Sequence, residues 1–172
     1  MFGLFKPKLA PEGPVEIGAE VEINKPVSEV YALIDWADER NAKRATGNHV
    51  TQVEGKPDRF DMVMPFLDDL TFEFLVTEAV PHAKYAFGCV IRPECGNLAH
   101  NHESYEFEAL GEDKCRVILT TSVTFVEGLR MRDFTKEVAT MAASVQSALQ
   151  KLKLQAELGA DVAKALEENT VL

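Results

Sequence analysis

Cysteine is scarce in this chain. Its 172 residues hold three, and Cys89, Cys95 and Cys115 form no Cys-x-x-Cys unit. That spacing excludes a disulfide framework and suits a reducing, cytoplasmic setting. Long apolar runs are missing too: none approaches the ~20 residues needed to span a bilayer. At the N-terminus the small apolar cluster of Phe2, Leu4 and Phe5 comes before Lys6 and Lys8, the reverse of a secretory signal. Positive charge is in deficit, 18 Lys and Arg against 28 Asp and Glu, a net charge of −10. So acidic a chain is not expected to bind nucleic acid or to insert stably in a membrane. No Gly-x-Ser-x-Gly elbow and no glycine-rich phosphate loop occurs, and Gly96 and Gly111 read as turn glycines.

Apolar side chains are plentiful, at 46% of the residues, with ten Phe and five Met. A chain of this length supports one core, hiding roughly 70% of its extended surface on folding. Residues 1–14 contain three prolines and two glycines and read as an irregular arm. Its apolar cluster is expected to pack on the domain or on a second copy in a homodimer. Residues 15–158 read as one domain and 159–172 as a tail that adds one or two helical turns and then frays.

Within the domain, Val15, Ile17, Ala19, Val21 and Ile23 alternate with Glu16, Gly18, Glu20 and Glu22, the period of a half-buried strand. Lys25-Pro26 ends it. Apolar residues at 27, 30, 31, 33, 34 and 37 then form a helical stripe, and the charged stretch from Asp38 to Arg44 reads as a loop or a second short helix. Six alternating segments follow, at 48–54, 59–64, 70–78, 84–92, 98–109 and 115–126. Short turns join them, so the strands run antiparallel. After Gly128 the period changes. Phe134, Val138, Met141, Val145, Leu149, Leu152 and Ala156 recur at steps of three and four, which predicts a helix from about Leu129 to Leu158 capped by Gly159.

The turns also predict a register. A hairpin centred on Cys95 sets Tyr85 opposite Tyr105, Phe87 opposite Glu103 and Cys89 opposite Asn101. One centred near Glu112 sets Tyr105 opposite Leu119 and Glu103 opposite Thr121. Both keep the apolar sides on one face, and a slip of one residue would turn them all outward. The consequence is that Asn101, Glu103, Tyr105 and Phe107 share the apolar face. A carboxylate there costs several kcal/mol unless paired or hydrated. Either Asn101 and Glu103 reach water at the sheet rim, or with Tyr105 they orient a ligand in a mostly apolar cavity.

The junction Val21-Glu-Ile-Asn-Lys-Pro-Val-Ser-Glu-Val-Tyr-Ala-Leu-Ile-Asp resembles that of the SRPBCC superfamily, which includes START-type lipid-transfer domains, polyketide cyclases and pathogenesis-related allergens. Pro26, Val30, Tyr31, Ile34 and Asp35 stand at the motif positions. The resemblance covers residues 15–158. It implies an α+β helix-grip fold, a curved seven-stranded antiparallel sheet wrapped around the long C-terminal helix, with a cavity between them. It further implies binding of a small hydrophobic or amphipathic molecule, lipid-like or polyketide-like.

On this reading Phe72, Phe74, Tyr85, Phe87, Cys89, Leu119, Thr121, Phe134, Met141 and Val145 line the site, and Asn101, Glu103 and Tyr105 orient the guest. Two alternatives stand beside it. One is a cyclase- or isomerase-type enzyme using Glu103 and Tyr105 for proton transfer. The other is a protein-interaction module whose Phe and Met side chains fill the core. His100-Asn-His102 invites a metal reading with Cys95 or His49. The register sends both histidines outward, so no metal and no cofactor is expected. Arg130 and Arg132 either pair with Asp133 or Glu127, or join Arg92 in holding an anionic head.

Overall fold

The alternating Val15–Ile23 segment forms strand β1, its glutamates outward and Ile23 fully buried at its end. Pro26, with its φ fixed and no N–H to satisfy, sits at the cap of helix α1 (Val27–Ile34). This helix buries Val30, Tyr31 and Ala32. Asp35 stops it in an extended conformation and accepts a hydrogen bond from the Ala37 N–H at 2.9 Å. The charged stretch that follows holds one short helix, α2 (Ala42–Ala45). The computed structural model describes residues 8–170, with side chains to residue 165, so the Phe2, Leu4 and Phe5 cluster lies outside the described residues.

Six further strands follow: β2 (His49–Gln52), β3 (Arg59–Met64), β4 (Leu67–Val80), β5 (Lys84–Arg92), β6 (Leu98–Gly111) and β7 (Lys114–Phe125). They pair as one antiparallel sheet in the order β1-β7-β6-β5-β4-β3-β2. The architecture is α+β, the seven-stranded antiparallel sheet with a long C-terminal helix that the sequence predicts. Strand β4 starts earlier than expected because Pro65 and Phe66 make a tight turn, with the register shift between Val63 and Met64 absorbing the misfit.

Helix α3 (Met131–Leu158) spans 28 residues, about 42 Å. It lies on β1 and β7, at one edge of the sheet, and sinks Val145, Leu149 and Leu152 into the core. Its C-terminal end is pinned to the β1–α1 junction. The Lys153 ammonium donates to the Glu22 carbonyl at 2.6 Å and to Glu157 at 2.8 Å, while Glu157 accepts the Asn24 N–H at 2.7 Å. At the other end residues 8–10 are tied to the start of α3. The Met131 N–H donates to the Lys8 carbonyl and the Ala10 N–H to the Leu129 carbonyl.

The tail also differs from expectation. Gly159, at φ 97°, breaks the helix axis, and Ala160–Thr170 forms an 11-residue helix α4 instead of fraying after a turn or two. Ala160 and Ala163 give α4 a narrow face that lies close to its neighbours, and Ala163 is almost fully buried.

Leu149 is 1% exposed in the interface between α3 and the rest of the core. Leu149→Ala is expected to lower unfolding stability by about 2–5 kcal/mol, read from urea denaturation midpoints, with the native far-UV spectrum retained.

Candidate functional site

Antiparallel pairing assembles the site in rows. Tyr85, Tyr105 and Leu119 form one row across β5, β6 and β7; Phe87, Glu103 and Thr121 form the next; Cys89, Asn101 and Val123 the one after. Neighbouring strands lie about 4.8 Å apart. Alternate residues of one strand share a face, so Asn101, Glu103 and Tyr105 stand in line on the concave side. There the Glu103 carboxylate accepts from Asn101 Nδ2 at 3.1 Å and from the Tyr105 hydroxyl at 2.9 Å. The carboxylate that parity places on an apolar face is thus paired with two donors of its own strand.

Burial, reinforced by the negative Glu103, pushes the Tyr105 phenol well above its ordinary value. Burial raises the Cys89 thiol to about 12, with the charges of Glu103 and Glu73 adding to the effect. Near neutral pH both groups keep their protons. Tyr105 is a hydrogen-bond donor there, and Cys89 is a small apolar wall element, not a nucleophile.

These strands and α3 border a partly open cavity of about 520 Å³. Phe72 and Phe74 of β4 line it, as do Phe87 and Cys89 of β5, Asn101, Glu103 and Tyr105 of β6, Leu119 and Thr121 of β7, and Met141 and Val145 of α3. The interior is therefore not filled by its own Phe and Met side chains. The void follows from the seat of α3, which packs on β1 and β7 and leaves β3–β5 facing open space.

Tyr85 and Phe134 lie elsewhere. Tyr85 is 2% exposed and sits behind the cavity wall, where its hydroxyl accepts the Trp36 N–H at 3.1 Å. Its ring meets Tyr31 of α1 edge-on at 5.7 Å. It braces the chain where α1 ends. Phe134 packs edge-on against Phe125 at 5.7 Å and borders a smaller hollow of about 120 Å³ beside residues 10–13. Arg92 pairs with Glu73 and Glu94, and neither it nor Arg130 nor Arg132 lines the large cavity. His102 lies on the opposite face of the sheet, its Nε2 2.9 Å from the Thr77 hydroxyl. No group of three metal-ligating side chains occurs among the described residues.

Several lining residues are not among those the sequence marks as a site. Trp36, Asn41, Met62, Met64, Gln155 and Ala163 all border the cavity. Trp36 stacks on Phe74 with ring centroids 4.0 Å apart and meets Phe87 edge-on at 5.4 Å. Phe87 in turn stacks on Tyr105 at 6.1 Å. Asn41 is buried and fastens the α1–α2 loop over the cavity, donating through Nδ2 to the Ile34 and Asp35 carbonyls and accepting from the Lys43 N–H. Trp36 is the only tryptophan and directly follows the motif aspartate, the one cue by which it could have been found.

Two predictions follow from these protons and bonds. Tyr85→Phe leaves the buried Trp36 N–H without its acceptor and is expected to cost about 1–3 kcal/mol in urea unfolding, with the cavity unchanged. For pH, the raised Cys89, Tyr85 and Tyr105 values mean that folded and unfolded chains hold the same protons on these groups near neutrality, and that a difference opens only as pH approaches the ordinary thiol value of 9.0. Above the ordinary thiol value of 9.0 and phenol value of 10.0 the unfolded chain ionises first. Stability therefore falls as pH rises. Tyrosine ionisation followed by ultraviolet absorbance should coincide with loss of the far-UV spectrum instead of preceding it.

No protein-family model matches the chain, and no curated protein matches it by sequence. Solved structures do match in shape. The di-domain ARO/CYC BexL from the BE-7585A biosynthetic pathway superposes with a TM-score of 0.63 at 21% identity, over 84% of this chain and 47% of BexL. This chain thus spans about half of BexL's length. Truncated norcoclaurine synthase from Thalictrum flavum gives 0.59 at 12% identity, over 87% and 96% of the two chains. A START superfamily protein from Mycobacterium smegmatis gives 0.55 at 10%, over 81% and 97%. At such identities the likeness is one of fold: a curved antiparallel sheet with a long C-terminal helix against it, the helix-grip fold.

Proposed function

We propose that the protein binds a small hydrophobic or amphipathic molecule, lipid-like or polyketide-like, in the space between the sheet and α3. One observation carries this reading: a cavity of about 520 Å³, within the range of small-molecule sites, walled mostly by aromatic and aliphatic side chains, with the linked Asn101–Glu103–Tyr105 group on its sheet side. Phe72, Phe74, Phe87, Leu119, Met141 and Val145 supply apolar contact. Methionines 62, 64 and 141 add unbranched, polarizable surface that adapts to more than one guest. Asn101, Glu103 and Tyr105 orient the guest. No helix among the described residues is long and apolar enough to cross a membrane.

A second reading is favoured by the 2.9 Å bond between the Tyr105 hydroxyl and Glu103 inside this wall. It makes the protein a cyclase- or isomerase-type enzyme in which Glu103 takes a proton from the guest and Tyr105 steadies the developing charge. Norcoclaurine synthase, similar in fold, is an enzyme by name. Glu103→Gln separates the two readings. Retained binding with lost turnover indicates catalysis, whereas unaltered turnover of a converted guest removes Glu103 from the chemistry.

Filling the cavity tests the primary reading. Phe87→Trp and Met141→Trp are each expected to weaken uptake of Nile red, a neutral apolar dye, by roughly tenfold, read from dye emission with the far-UV spectrum unchanged. Unaltered affinity in both variants overturns it.

A further inference from the structure

Strand β1 is an edge of the sheet. One side of it pairs with β7, and no strand among the described residues pairs with the other. The β1–β7 pairing runs without a register shift from Val15 to Ile23. At its end the Glu22 carbonyl accepts from Lys153 at 2.6 Å, so that carbonyl turns away from β7. Alternate residues of an antiparallel strand turn their N–H and C=O the same way. The backbone groups of Glu16, Gly18 and Glu20 therefore face outward as well. Lys153 covers the edge only at Glu22. From Val15 to Val21, about 23 Å of strand, no hydrogen bond from outside the β1–β7 ladder reaches these groups among the described residues. An open edge of this length is a template for another strand.

The two faces of the edge differ. On the concave side Ile17, Ala19 and Val21 are half-buried, whereas their partners on β7, Thr121, Leu119 and Val117, are almost fully buried. Apolar surface at this margin stays accessible until something lies beside β1. On the convex side Glu16, Gly18 and Glu20 are all exposed. Glu16 has no ion-pair partner among the described residues, and Glu20 reaches only Arg116, at 3.9 Å, a guanidinium shared with Glu22 and Glu108. Nothing inside the chain calls for glycine at position 18. A Cβ there would meet only the Leu119 carbonyl, at the ordinary contact distance of 3.7 Å. Glycine within a strand often marks a place where another backbone comes close.

Charge selects among occupants. A second copy added antiparallel about Gly18 would set each Glu16 opposite the copy's Glu20. Like charges directly opposite one another destabilise a pair of strands, and two chains each of net charge −10 repel at longer range too. A strand with cations at those two places turns both repulsions into attractions.

We infer that the open edge of β1 takes up an extended, antiparallel segment of another protein in which apolar residues alternate with Lys or Arg. Its backbone completes the outward N–H and C=O groups of Glu16, Gly18 and Glu20. Its cations meet Glu16 and Glu20, and its apolar side chains extend the concave face past Ile17, Ala19 and Val21. Main-chain bonds supply affinity in such strand addition, and alternate side chains supply selection.

Two labelled peptides test it by fluorescence anisotropy: Val-Lys-Val-Thr-Val-Lys-Val, and the same sequence with Glu for both Lys. With the central Thr opposite Gly18, the lysines fall opposite Glu16 and Glu20. The lysine peptide is expected to bind roughly tenfold tighter, and its advantage to shrink with added salt. Glu16→Lys combined with Glu20→Lys should reverse the preference. N-methylation of the central Thr, whose N–H points at β1, should abolish binding, whereas N-methylation of the following Val, whose N–H points away, should not. Gly18→Pro removes an outward N–H that β7 does not use and should also abolish binding. None of these positions lines the cavity, so Nile red uptake is expected to be unchanged. Equal affinity for the two peptides, equal effects of the two N-methyl groups, or no binding at millimolar peptide overturns the inference. A dimer in sedimentation that Gly18→Pro dissolves makes a second copy the occupant and overturns it too. If Gly18→Pro does not fold, the N-methylated pair decides.

Discussion

The site rests on cross-strand registry among β5, β6 and β7. A pleated strand turns alternate side chains to opposite faces, so the pairing of Phe87 with Glu103 and of Glu103 with Thr121 decides which groups meet on the concave side. In this register an apolar wall acquires one carboxylate and two further polar side chains within a few ångströms of each other. Shift it by one residue and His102, Ser104 and Glu106 would face inward, and the sheet would have no core face to offer α3.

That carboxylate is the energetic problem the local structure resolves. Glu103 sits among aromatic rings, where an unpaired charge is expensive. Its own strand supplies the remedy, since the residues two before and two after it project from the same side. Asn101 and Tyr105 donate to its two oxygens, and the phenol, buried beside a negative charge, is held firmly protonated. On the sheet side of the cavity polarity is thereby gathered around Glu103, among walls that are mostly hydrocarbon and aromatic.

The cavity owes its existence to an asymmetric grip. Helix α3 is seated on β1 and β7 by Val145, Leu149 and Leu152 and tied down at its C-terminal end by Lys153 and Glu157. Strands β3, β4 and β5 curve away from it. Trp36 and Asn41 close part of the gap from the α1–α2 loop, and Ala163 of α4 closes another part. Tyr85, behind the wall, keeps the loop in place through the Trp36 N–H. An aromatic ring that faces the right way along its strand can therefore serve as a brace for the site without touching its contents.

Alternation and turn chemistry in the sequence by themselves determined the strands, the long helix, the β5–β6–β7 pairing and the side of the sheet on which Asn101, Glu103 and Tyr105 stand. These are local properties, carried by a period of two, a period near 3.6 and the lengths of short turns. Depth is not local. Tyr85 shares parity with Phe87 yet lies covered because α1 packs on it, and Phe134 shares the stripe of Met141 yet lies where α3 begins, against Phe125. Trp36, Asn41 and Ala163 reach the cavity through a loop and a second helix whose placement no periodicity encodes. Whether the interior would be filled or hollow was likewise decided by where α3 sits on the sheet, because a void is a property of the distance between elements and of no single element's pattern.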